Sequence, residues 1–211
     1  MIGMSGLRMR LILTSGDWRS IMCAMRIVQA GQHEYGQIMT VEHDAFGRDD
    51  EPRLVSALLS DPTAQPSLSL LAYEGTRAVG QVLFTRATLL GATRECSAVV
   101  LTPLAMIPDF QRKGVGRALI EQGCECLTGS GMEPVFVLGD PGYYSRCGFQ
   151  AALPHGLLPP YPVVPQAAWM MDACADAMRA RRRPGHGGVR SVARSRGVRA
   201  GVGRTRPDAV A

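Results

Sequence analysis

Residues 104–127 read LAMIPDFQRKGVGRALIEQGCECL, and the rest of the chain is organised around them. Leu101, Leu104, Met106 and Ile107 form an apolar run suited to a buried strand, which Pro108 and Asp109 end. Gln111-Arg112-Lys113-Gly114-Val115-Gly116 follows as a basic turn punctuated by glycine. A helical pattern begins at once, with Val115, Ala118, Leu119 and Cys126 on one face. A strand, a glycine-relieved turn and a helix start together make an anion site. The first N–H groups of the helix have no intrahelical partner, and its dipole favours negative charge there. Gly114 and Gly116 let the main chain approach a phosphate without an intervening Cβ. Arg112, Lys113 and Arg117 surround that point with positive charge.

Two familiar phosphate loops are excluded. A Walker loop requires Gly-Lys-Ser/Thr, and here Gly116 is followed by Arg117-Ala118; a dinucleotide fingerprint requires a third glycine where Leu119 stands. The pattern that fits is Gln/Arg-x-x-Gly-x-Gly/Ala, preceded by Leu104-Ala105-Met106-Ile107-Pro108. Val135-Phe136-Val137-Leu138-Gly139-Asp140-Pro141 comes next, then Tyr143-Tyr144-Ser145-Arg146-Cys147-Gly148-Phe149. In this order and spacing the stretch resembles the GCN5-related N-acetyltransferase (GNAT) superfamily, whose Tyr-x-x-x-Gly-Phe signature starts here at Tyr144. The Leu-Gly-Asp-Pro-x-Tyr-Tyr version is similar to the bacterial YhbS-like subgroup.

The resemblance implies a fold and a chemistry. The fold is α/β, a mixed, largely antiparallel sheet flanked by helices, with a V-shaped splay between its two central strands. Leu104–Ile107 and Val135–Leu138 are the strands that part, and the pantetheine arm of acetyl-CoA lies between them. Leu104, Ala105 and Met106 line the arm, and Gln111, Arg112, Lys113, Gly114, Val115, Gly116 and Arg117 hold the pyrophosphate. The activity implied is N-acetyl transfer from acetyl-CoA to an amine, by direct attack in a ternary complex and without a metal. The resemblance places Tyr144 at the sulfur as proton donor to the departing thiolate, with Tyr143 pointing away into the sheet. The oxyanion would be met by a strand N–H, that of Met106. The base is not assigned: Glu95, Glu42, Asp140 and a water chain all stand open. The acceptor is a small-molecule amine or a protein N-terminus, and a homodimer is left open. The alternative is a CoA-binding sensor or docking module that does not transfer; the intact Tyr144 favours the enzyme.

Composition bounds the remainder. The 211 residues suit one domain with a surplus, and 46% hydrophobic residues suffice for a core. No apolar run reaches the ~18 residues of a membrane span. Cys23, Cys96, Cys124, Cys126, Cys147 and Cys174 show no zinc spacing. Cys124 and Cys126 point about 200° apart on a helix, so reduced thiols in a cytoplasmic protein are expected. The net charge of +5 is misleading. Residues 179–211 hold ten arginines and one acid; setting them aside leaves 13 basic against 17 acidic residues, a net −4. The basicity belongs to an Arg/Gly-rich tail, which reads as disordered, and a nucleic-acid contact is expected only through it. Residues 1–24 read as an extension or a start assigned too early, with Met25 or Met22 as the true start. The folded domain is then 25–175.

Within that domain Met25–Ala30 reads as the first strand, and His33–Ala45 as a helix with Ile38, Val41 and Ala45 inward. A second helix follows Pro52 and ends at Asp61-Pro62. Asp49, Asp50 and Glu51 complement its dipole; in the resembled fold they also border the acceptor groove and would greet a cationic amine. Leu68–Tyr73 and Ala78–Leu90 are strands joined by a turn at Gly75, and Cys96–Ile107 is the central strand. His33, His43 and His155 are scattered and read as surface or capping residues. No Gly-x-Ser-x-Gly elbow occurs. The proline-rich stretch Pro154–Pro165 reads as a loop over the acceptor side, and Ala168–Met171 as the last strand.

Overall fold

The computed structural model describes residues 25–90, 97–172 and, as backbone, 187–191. The candidate base Glu95, Cys96, Cys174 and residues 1–24, Cys23 among them, lie outside these.

Strands β1 (Met25–Gln29), β2 (Leu68–Glu74), β3 (Arg77–Leu90) and β4 (Ala98–Met106) form an antiparallel meander. Gly75 in the left-handed region, at φ 57°, makes the β2–β3 turn. β5 (Val135–Leu138) lies parallel to β4, and β8 (Trp169–Asp172) separates it from β6 (Gln150–Ala151). The order β1-β2-β3-β4-β5-β8-β6 is the mixed, mostly antiparallel sheet expected.

Helices cover both faces. α3 (Val115–Gly129) crosses β2, β3 and β4 on one side, and α1 (Tyr35–Phe46) crosses β3 and β4 on the other, with α2 (Asp50–Ser60) beside it. The alternation of β3 assigns its side chains to these layers. Gly80, Val82 and Phe84 face α3; a Cβ on Gly80 would strike Met106 and Leu119, and one on Gly123 would strike the Phe84 ring. Glycine at those two positions is what brings helix and sheet together. The buried stripe of α3 is Val115, Leu119, Ile120, Gly123 and Leu127. Ala118 and Cys126, expected inward, are only partly covered, because a 3.6-residue period carries the stripe through 119, 123 and 127.

A second apolar cluster sits at the far end of the sheet. Phe136 and Trp169 stack there at 5.2 Å and 7°, beside Ala87, Leu89, Val100 and Met171. The Pro154–Pro165 loop seals this cluster through buried Leu157 and half-buried Val163. Leu157 and Leu158 also form β7. The segment read as a disordered tail contains a strand, β9 (Gly187–Ser191), which runs antiparallel along β3 at Ala87–Leu90 and parallel to β7. A ladder of backbone hydrogen bonds needs no apolar side chains, so composition gave no sign of it. The rest of 179–211 lies outside the described residues, and none of the described helices is long and apolar enough to cross a membrane.

Candidate functional site

The centre of the sheet opens at one end. β4 pairs with β5 only through Val99–Val135, Val100–Phe136 and Leu101–Val137. Beyond Leu101 the two strands separate: β4 stays with β3 to Met106, whereas β5 follows β8, Leu138 opposite Trp169. The cause is local. The β3–β4 register slips by one residue between Phe84–Leu101 and Val82–Leu104, a bulge that places Thr102-Pro103 out of step. Pro103 also lacks the N–H a ladder requires. Thr102 and Pro103 are the two partly exposed residues of an otherwise buried strand.

The bulge decides which backbone groups face the gap. Ile107 donates its N–H to the Val79 carbonyl at 3.1 Å, so the amides of Ile107 and Ala105 point toward β3. By alternation those of Leu104 and Met106 point away from β3, into the splay. The Met106 carbonyl accepts from Gln111 Nε2 at 3.2 Å. Gln111 therefore pins the basic turn back onto the open end of β4.

From there the chain passes a turn at Pro108–Phe110 and enters α3. Arg112 at φ 57° and Gly114 at φ 83° are both left-handed. For Arg112 that conformation is uncommon and costs about 1–2 kcal/mol, so the loop holds it against preference. The first helical bond here runs from the Ala118 N–H to the Gly114 carbonyl at 3.0 Å, leaving the N–H groups before it without an intrahelical partner. Arg112, Lys113 and Gly114 are exposed around that end, while Val115 and Gly116 are buried beneath it. Lys113 Nζ lies 5.1 Å from the centre of the buried Phe110 ring. Arg117 pairs instead with Glu121 at 2.7 Å, along the helix surface. Leu104, Met106 and Gln111–Gly116 thus follow one another, as one ledge, from the open end of β4 to the α3 N-terminus, whereas the Ala105 amide faces β3 and Arg117 lies along the helix surface.

The Tyr-x-x-x-Gly-Phe segment closes the ledge from the other side. α4 (Pro141–Tyr144) is capped by Asp140, whose carboxylate accepts from Gly142 N–H at 3.0 Å. Asp140 is exposed and engaged there, which weakens it as the base. Gly148 at φ 91° reverses the chain, and Phe149 N–H donates to the Tyr144 carbonyl at 3.1 Å. This turn stacks the motif's rings: Tyr144 meets Phe149 edge-on at 5.6 Å and Tyr143 at 5.0 Å. The Tyr144 ring lies against Gly139, where no Cβ would fit.

Tyr143 departs from the expectation that it points away into the sheet. Its hydroxyl lies over Gly116, where a Cβ would come within 2.7 Å of the oxygen, 3.5 Å of Leu104 and 3.9 Å of Met106. The hydroxyl is buried, with the Cys147 thiol beside it as a polar neighbour. A short connection explains the difference: only Gly139 and Asp140 separate β5 from α4, so consecutive tyrosines enter the layer under α3 together. Burial raises the pKa of both phenols, Tyr144 further by Tyr143 and Cys147, Tyr143 further by Cys147, so both hold their protons at neutral pH. Glu42 of α1 is one of the open candidates for the base. The structure sets it apart: it is 0% exposed, with neither carboxylate oxygen hydrogen-bonded. Among the described residues no group of three His, Cys, Asp or Glu side chains is placed to hold a metal ion.

Comparison with known proteins agrees with this architecture. Residues 35–149 match the model of the Acetyltransferase (GNAT) family. The chain is 48% identical over 140 residues to the uncharacterized N-acetyltransferase YjhQ of Escherichia coli K12, covering 64% of this chain and 77% of that one. To YhbS of the same organism it is 31% identical over 132 residues, covering 63% and 77%. The crystal structure of E. coli YhbS in complex with CoA superposes with a TM-score of 0.70 at 25% identity, covering 80% of this chain and 91% of that one. A GNAT acetyltransferase from Brucella melitensis in complex with acetyl-CoA gives 0.55 at 32% identity, covering 60% and 83%. With its splayed central strands, its glycine-relieved turn into α3 and a family match over more than half its length, the chain belongs to the GNAT family of N-acetyltransferases.

Proposed function

We propose that this enzyme takes acetyl-CoA as acyl donor and transfers the acetyl group to a primary amine by direct attack in a ternary complex. One observation carries the reading. The unpaired end of β4 leads without interruption to a helix N-terminus whose approach is left-handed at Arg112 and Gly114. A long ligand with an amide-bearing arm and an anionic end fits such a ledge. The amides of Leu104 and Met106 face the arm, the N–H groups at the start of α3 face the phosphates, and Arg112 and Lys113 supply cations. CoA and acetyl-CoA in the YhbS and Brucella structures support the same choice of ligand.

The chain's groups then have definite tasks. The Met106 N–H meets the negative charge that develops on the acetyl oxygen as the amine attacks. A tyrosine donates its proton to the sulfur that leaves. The signature assigns this to Tyr144. One observation favours Tyr143 as a second reading: its hydroxyl lies over Gly116, at the start of α3, against the position a Cβ would take there.

Titration with CoA tests the ledge. Gly114→Glu leaves the fold intact by circular dichroism, since nothing lies within 4 Å of a Cβ there. It sets an anion at the phosphate end and strains a left-handed residue, so CoA affinity should fall at least about 100-fold. A folded variant that binds like the parent would place the phosphates elsewhere.

A further inference from the structure

β7 belongs to the sheet through one partner. Among the described strands Leu157–Leu158 pairs only with β9, and β9 lies along the edge of β3 at Ala87–Leu90. That edge is open to it because β2 follows β3 only as far as the Leu68–Phe84 pair. Residues 187–191 therefore stand between the main sheet and the apex of the 152–168 excursion, which leaves β6 and returns to β8.

The excursion is tied down at few points. Its base is closed where the Ala152 N–H donates to the Trp169 carbonyl at 3.0 Å. Leu157 is buried in the cluster of Phe136 and Trp169, with Leu153 and Val163 partly covered against it. Leu158, Tyr161 and Val164 are 41, 47 and 96% exposed, so their side chains hold little. Backbone donors are scarce as well. Pro159, Pro160, Pro162 and Pro165 have no N–H to give a ladder. Leu157 gives its own to the Ala152 carbonyl at 3.3 Å. Leu158 is then the one residue of β7 with an N–H free for β9.

The place of the excursion gives its anchoring a consequence. Thr85, Val100 and Phe136 form one row across β3, β4 and β5, on the face turned away from α3. The excursion packs on Phe136 there, on the same side of the sheet as α1. Its return limb ends at the mouth of the splay. The Ala168 carbonyl accepts from the Gly139 N–H at 3.0 Å, and Trp169 stands opposite Leu138. The limb thus runs from β9, at the closed end of the sheet, to the β5 lip of the gap.

We propose that residues 187–191 are a positioning strap: held between β3 and β7, they fix the 152–168 excursion beside the mouth of the splay, where it forms one wall for the incoming amine. This rests on the acetyl-transfer reading above. The strap adds no group to the chemistry. It acts through the wall, so its loss is felt in acceptor binding rather than in CoA affinity. Gly187 and Gly188 give up more conformational freedom on pairing than other residues, which makes this part of the sheet the easier to release.

Leu158→Pro and Gly188→Pro test the contact from its two sides, in the full chain. Each removes an N–H from one of the paired strands, and neither takes a side chain from the core: Leu158 is exposed and Gly188 has none. Leu158→Ala keeps the N–H and is the control. In hydrogen exchange, the amides of 153–164 should exchange at least about 10-fold faster in both proline variants, with α3 and Val99–Leu101 at parent rates. Ala87–Leu90 should follow in Gly188→Pro alone. Thiol release with butylamine, putrescine, agmatine and glycinamide reads the consequence. KM for the best amine should rise about 5–10-fold, with kcat and CoA affinity within about 2-fold and Leu158→Ala like the parent. Parent exchange rates at 153–164 in both proline variants would overturn the strap. So would unfolding of both, which would make the segment core. Faster exchange with an unchanged KM would overturn the positioning role. A parent that binds acetyl-CoA but releases thiol with none of the four amines sinks the primary-amine reading instead, and the exchange rates still decide the strap.

Discussion

The two ends of β4 have similar composition and opposite fates. Val99–Leu101 is held on both edges, by β3 and by β5, and every side chain is buried. Leu104–Met106 is just as buried but held on one edge only. The first end behaves as core, where loss of volume is felt as loss of stability. The second leaves backbone groups unpaired on its open edge, and on the proposed reading changes nearby should be felt as loss of rate or affinity with the fold kept. One out-of-step dipeptide, Thr102-Pro103, separates the two regimes.

The largest effect is expected at the open end. Replacing the tyrosine that donates to sulfur by phenylalanine keeps the ring packing and removes the proton. Turnover should fall about 10²–10⁴-fold with acetyl-CoA binding retained. The same change at the neighbouring tyrosine should cost far less. Steady-state rates of Tyr144→Phe and Tyr143→Phe therefore say which hydroxyl serves the splay. Two variants that both turn over like the parent would show that the thiolate leaves unaided.

The closed end should respond differently. Leu101 is 2% exposed within the main core. Leu101→Ala should cost about 2–5 kcal/mol in urea unfolding, while the molecules that remain folded keep their affinity for CoA. A large drop in affinity with little change in stability would erase the distinction between the ends.

Gly116 sharpens the boundary. Its missing Cβ is where the Tyr143 hydroxyl lies, 2.7 Å from the position that carbon would take. Gly116→Ala should destabilise by about 1–3 kcal/mol through overpacking. Tyr143→Phe in the same chain should restore much of it, because the atom struck is the one removed. A double-mutant cycle with no coupling would mean that the ring moves aside freely.

The smallest effect belongs to the surface of α3. Arg117 and Glu121 are 61% and 53% exposed, so their 2.7 Å pair is open to solvent. Arg117→Ala should change stability by only about 0.3–0.5 kcal/mol. Its effect on CoA affinity should exceed that if Arg117 turns to the phosphates, and a salt titration of binding would show it.

Much of this was legible in the chain itself. Local chemistry marks the turn: Gly114 and Gly116, the basic residues around them, an apolar run before and a 3.6-period stripe after. These signals act over a few residues and depend on φ, capping and periodicity, which sequence specifies directly. The order of strands and helices, and the reversal at Gly148, are legible for the same reason. Which tyrosine lies over Gly116 is not. Tyr143 and Tyr144 are adjacent and chemically identical, and their orientations follow from the two residues linking β5 to α4 and from the room left by Gly116 and Gly139. The β9 pairing depends on a strand edge left free beyond β2, and a backbone ladder carries no side-chain signature. Glu42 looks like any polar residue beside a helix's apolar stripe, and only the sheet beneath α1 makes it a buried, unpartnered acid. Sequence determined the local elements and the basic, glycine-relieved turn because their causes lie within a few residues. Tertiary structure decided which identical side chain lies over Gly116 and which acid is stripped of water, because burial and distance are properties of packed layers.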